Sequence, residues 1–71
     1  NKWKAIEAYQ ALAKLEPEKG LWRRRTAEIY EELGRLEQSQ REYEALDKIE
    51  PSQKIKDKIV ELSLRRIREK K

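Results

Sequence analysis

Apolar residues along this chain recur at helical spacing, not strand spacing. Within residues 2–16, Ala5, Ile6, Ala8, Tyr9, Ala11, Leu12, Ala13 and Leu15 spread over about half of a helix circumference at roughly 100° per residue. An arc that wide needs neighbours on two sides. Trp3 falls outside it, with Glu7, Gln10 and Lys14, and is expected to fold against its own stem. Residues 19–33 put Trp22, Thr26, Ile29, Tyr30 and Leu33 on one face, Ala27 at its margin, and Leu21, Arg24, Glu28, Glu31 and Glu32 on the opposite face. Residues 36–50 turn Leu36, Ser39, Tyr43, Ala45, Leu46 and Ile49 inward and Glu37, Arg41, Glu44 and Lys48 outward. In residues 53–69, Val60, Leu64 and Ile67 mark the inward stripe, and Ile55 and Leu62 fall off it. The pattern predicts four helices and no strands.

The punctuation agrees with the periods. Pro17 and Pro51 end the first and third helices, because a proline pushes its predecessor out of the helical region. Gly34 follows the second helix, where a left-handed closing residue is wanted, and Ser52 is the expected N-cap of the fourth. The prolines stand 34 residues apart. Laying residues 9–17 on 43–51 gives identities at Tyr9/Tyr43, Ala11/Ala45, Leu12/Leu46, Lys14/Lys48, Glu16/Glu50 and Pro17/Pro51. A fixed period of this length marks a repeat of one supersecondary unit. Carried into the fourth helix, the same 34-residue offset pairs Leu21/Ile55, Thr26/Val60, Tyr30/Leu64 and Leu33/Ile67 without one identity, as expected of a terminal helix that meets water.

With two helices per unit, a Gly between them and a Pro after the second, the chain resembles the tetratricopeptide repeat family. Tyr30 stands at that motif's Tyr, Ser39 and Tyr43 at its A-x3-F pair and Pro51 at its Pro; Ala5, Tyr9 and Pro17 repeat the second half. Arg23 replaces the Trp, with Trp22 adjacent, and Thr26-Ala27 replaces Leu-Gly. The resemblance covers nearly the whole chain, as one and a half repeats plus a C-terminal capping helix. It implies one all-α domain over residues 1–71, built of antiparallel helical hairpins stacked as a right-handed superhelix, with helices at 2–16, 19–33, 36–50 and 53–69.

Composition narrows the function. A chain of 71 residues is too short to enclose the deep, dry pocket that most catalysis requires, so no enzyme is expected. There is no Cys and no His, which removes disulfides, the usual zinc ligands and the commonest general base near neutral pH. Neither a metal nor a cofactor is expected. No apolar run approaches the length of a membrane span, and a soluble chain is expected, with the cytoplasm favoured.

Relatives of this kind generally bind peptide segments in a groove lined by the first helices of successive units. By position, the resemblance assigns the lining to Leu21, Arg24, Glu28 and Glu31, then Ile55, Lys58, Leu62 and Arg65. Ile55 and Leu62 would offer an apolar contact, and Lys58 and Arg65 would grip a carboxylate. The competing reading packs Ile55, Ile59 and Leu62 on neighbouring helices. A carboxylate clamp of the chaperone-binding type is not expected, because Glu28 occupies the place of a clamp Asn. Residues 52–71 carry eight Lys or Arg against three Asp or Glu, so backbone-directed nucleic-acid binding is a second reading, with a solvated basic face as its plainer form. Self-association through the unpartnered first helix is a third.

Overall fold

The structure, a computed structural model, describes residues 1–70. Among these, the chain forms α1 (Lys2–Leu15), α2 (Gly20–Glu32), α3 (Leu36–Ile49) and α4 (Gln53–Glu69), with no strand. Each boundary has a local cause. The Asn1 side chain accepts from the Lys4 amide at 2.8 Å, and the Ser52 hydroxyl accepts from the Ile55 amide at 3.1 Å, so α1 and α4 begin on capping side chains. Gly34 takes φ +76° after α2, and the Arg35 amide donates to the Tyr30 carbonyl at 2.8 Å, which closes the hairpin into α3. Leu15 and Ile49 are each the last helical residue two positions before a proline.

Consecutive helices pack antiparallel, α1 on α2, α2 on α3 and α3 on α4, and no other pair of axes comes close among the described residues. The result is an open row measuring 39 × 29 × 13 Å, not a closed bundle. Its centre is Ala27, Leu36, Tyr43, Leu46, Ile55 and Leu62, with Ile59 packed against them. Where α2 crosses α3, Ala27 is fully buried, and its missing side-chain bulk lets Ser39 Oγ donate to its carbonyl at 2.8 Å. Between α1 and α2, Tyr9 stacks on Trp22 with ring centres 5.9 Å apart, and Trp22 Nε1 donates to Glu16 at 2.9 Å. Trp3 is not folded on its own stem. It meets the edge of Tyr30 on α2 and lies under the Arg35 guanidinium.

The first helix is unpartnered on one side, as its wide arc implies for this chain alone: Ile6 and Ala13 are buried, whereas Ala8, Ala11 and Leu15 are exposed. One expectation about faces needs correction, because α4 is rotated from its expected phase. Val60, Leu64 and Ile67 are about half exposed, whereas Leu62 is fully buried and Ile55 nearly so. The cause lies in the loop. Four residues separate α1 from α2, but three separate α3 from α4, and the cap positions Lys19 and Ser52 are 33 residues apart.

One residue less turns a helix by about 100°, enough to exchange a buried stripe for an exposed one. An offset of 33 restores the equivalences in the fourth helix: Trp22/Ile55, Thr26/Ile59, Ala27/Val60 and Ile29/Leu62. Tyr9 against Trp22 then corresponds to Tyr43 beside Ile55. The outer stripe of α4 is consequently apolar, contrary to the expectation of a face made for water.

Candidate functional site

The groove is built by α2 and α4, which run in the same direction with α3 behind them. Glu31 ties the two together: Lys58 Nζ and Arg65 Nη1 both donate to its Oε2 at 2.8 Å, and Lys58 also reaches Glu61 at 2.9 Å. Burial works against the Lys58 ammonium, but its hydrogen bonds to Glu31 and Glu61 outweigh that cost and hold its pKa above the ordinary lysine value. The same bond from Lys58 holds the Glu61 carboxyl below the ordinary glutamate range.

Beside this cluster lies a cavity of about 280 Å³, lined by Arg24 and Glu28 from α2, Tyr43 from α3, and Ser52, Lys54, Ile55 and Lys58 at the start of α4. Tyr43 and Ile55 are its apolar backing. Burial, reinforced by the nearby Glu31 charge, pushes the Tyr43 phenol above its ordinary pKa, so it stays neutral. Glu28 is engaged by Arg25 at 3.3 Å. Among the described residues, Arg24 and Lys54 have no carboxylate partner.

The eight residues expected to line the groove therefore divide. Arg24, Glu28, Ile55 and Lys58 meet at the cavity, and Glu31 and Arg65 join it through the ion-paired cluster. Leu21 is partly exposed but does not line it. Leu62 is wholly inside and unavailable to any ligand, and Ile55 offers only an edge. The competing reading, in which Ile55, Ile59 and Leu62 pack on neighbouring helices, is the one the structure bears out. Sequence reasoning missed Ser52, Lys54 and Tyr43 as lining residues. The missed signal was Ser52 itself, a capping residue placed one position earlier than the 34-residue offset allows.

A larger recess of about 540 Å³ lies between α1 and α2, lined by Tyr9, Arg25, Glu28, Ile29, Glu31 and Glu32. Tyr9 is the counterpart of Tyr43, so this is the same notch one unit earlier, bounded on one side fewer. The smaller cavity differs in being walled by both α2 and α4.

The excess positive charge of α4 is largely engaged within the fold. Lys56 pairs with Asp47 at 3.2 Å, and Arg66 reaches Gln40 at 2.9 Å and Glu37 at 3.4 Å. The basic run expected at the end of the chain extends to Lys71, which lies outside the described residues. Among the described residues no group of three or more acidic, His or Cys side chains is arranged to hold a metal, and no helix is long and apolar enough to cross a membrane. No protein-family model, curated protein or solved structure matches this chain.

Proposed function

We propose that this chain is a non-catalytic protein-interaction scaffold of tetratricopeptide-like build, which takes a peptide segment of a partner along the cleft between α2 and α4. The observation that carries the reading is the cavity in which Arg24 and Lys54, cations without a carboxylate partner among the described residues, stand over the apolar backing of Tyr43 and Ile55. Such a site favours a segment that alternates acidic and small apolar side chains, since its carboxylates would meet the two cations while its apolar groups cover Ile55. The cleft contributes surface complementarity and no chemistry. Its charged groups are ion-paired or solvent-facing, and no hydrogen bond joins the Tyr43 hydroxyl to a base among the described residues.

Nucleic-acid binding is the weaker reading. Lys56, Lys58, Arg65 and Arg66 are each held by side chains of α2, α3 or α4 itself, so phosphate contacts would have to break those pairs. The deciding experiment titrates a fluorescently labelled peptide of alternating Glu and Val, and in parallel a labelled oligothymidine, into the chain and follows anisotropy. The expected result is saturable peptide binding that weakens at least tenfold in Arg24→Glu and in Lys54→Glu, with helix content unchanged. Peptide affinity equal in both variants, or saturable binding of the oligonucleotide alone, would overturn the groove.

A further inference from the structure

The exposed stripe of α4 and the exposed edge of α1 are two halves of a contact that this chain already makes internally. Across the α2/α3 crossing, Gly20 approaches Leu46 and Glu50, Arg23 pairs with Glu42 at 3.3 Å, and Ala27 receives the Ser39 hydroxyl. Moving the α3 side of that contact back by 34 residues gives Ala5, Ala8, Leu12 and Glu16 of α1. Moving the α2 side forward by 33 gives Gln53, Lys56 and Val60 of α4, continuing through Leu64 and Ile67.

The α4 face is open and the α1 face is half-open. Ser39 is fully buried and Glu42 half-buried on α3, whereas on α1 Ala8 is exposed and Ala5, Leu12 and Glu16 are half-buried, Glu16 already accepting from Trp22. Ala27 is fully buried on α2, whereas its counterpart Val60 is 58% exposed.

We infer that α4 of one molecule receives α1 of a second copy, packed as α3 packs on α2, so that copies join head to tail. The sizes compensate at the crossing. Ala27 against Ser39 becomes Val60 against Ala5 of the next copy, a larger residue facing a smaller one, with the cross-helix hydroxyl removed. Ala8 of the next copy replaces Glu42, which leaves Lys56 free to keep its own partner Asp47. Glu61 does not obstruct, since at an offset of 33 it corresponds to Glu28 and lies on the groove side, bonded to Lys58. The contact is heterologous, so it propagates instead of closing at a pair, and it uses faces separate from the α2/α4 cleft. A single helix-on-helix contact is smaller than the roughly 1,200 Å² of a stable standard interface, so the association is weak and concentration-dependent.

Sedimentation equilibrium from micromolar to millimolar chain tests it. The expected weight-average mass rises continuously, without a plateau at a dimer. Val60→Lys and Ala8→Lys, both at exposed positions, should each hold the mass at that of a monomer with helix content intact. An equimolar mixture of the two should give one-to-one pairs, because each variant keeps the face the other has lost and two lysine-bearing faces cannot meet. Leu64→Lys with Leu15→Lys repeats the test should either first variant unfold. A wild-type chain monomeric throughout, self-association that survives both variants, or a mixture that fails to pair would overturn the inference, the last by pointing to a symmetric contact instead.

Discussion

Ser39 on α3 places its hydroxyl 2.8 Å from the carbonyl oxygen of Ala27 on α2, with both residues fully buried. The contact exists because Ala27 carries only a methyl group, so two helix backbones can approach closely. Ala27→Leu should therefore destabilise the chain by about 1–3 kcal/mol through overpacking. Ser39→Ala should cost only about 0.5–1.5 kcal/mol, since the carbonyl it leaves is at a position that the helix ladder of α2 also uses. Urea midpoints for the two variants check the order.

The rotation of α4 makes a sharper prediction. Leu62 is fully buried and Leu64 is about half exposed, although only one residue separates them. Leu62→Ala should cost about 2–5 kcal/mol and Leu64→Ala no more than about 0.5 kcal/mol. Equilibrium unfolding of both variants measures this, and the reverse order would put α4 back in the 34-residue phase.

The two glycines should fail for different reasons. Gly34 sits at φ +76° with nothing near its absent Cβ, so Gly34→Ala should lose only the backbone preference, about 1–2 kcal/mol. Gly20 has ordinary helical backbone, but an added Cβ would stand 2.7 Å from Leu46 Cδ1, which is itself fully buried. Gly20→Ala should cost about 1–3 kcal/mol despite the better helix propensity of alanine. A second-site Leu46→Val change should restore part of the loss in Gly20→Ala and none in Gly34→Ala, read by thermal melts.

Acid stability should depend on the joint between α3 and α4. The Ser52 amide, together with Lys56, holds the Asp47 carboxyl below its ordinary pKa. A depressed folded-state pKa gives stability that is present above the unfolded value and lost as pH falls through the folded one. Glu61, depressed by Lys58, acts with the same sign. The melting temperature should thus be flat near neutral pH and fall below the ordinary carboxylate range. Asp47→Asn should lower the neutral plateau and flatten the acid limb. An unchanged acid limb in that variant would show that the joint carries none of the pH dependence.

By itself, the amino-acid sequence determined the number of helices, their ends to within about a residue, and the positions of Gly34, Ser52 and the two prolines as punctuation. These are local matters, decided by periodicity and by the few residues that satisfy or terminate a helix end. The resemblance read from it also placed Arg24, Glu28 and Lys58 together, and the three line one cavity. Only the tertiary structure decided which stripe of α4 is inside. Ile55, Ile59 and Leu62 compete with Val60, Leu64 and Ile67 for burial, and two apolar stripes on one helix give periodicity no basis for choosing between them. A loop one residue shorter after Pro51 settles the choice by turning the helix, which sends Leu62 into the core and leaves Val60 on the surface.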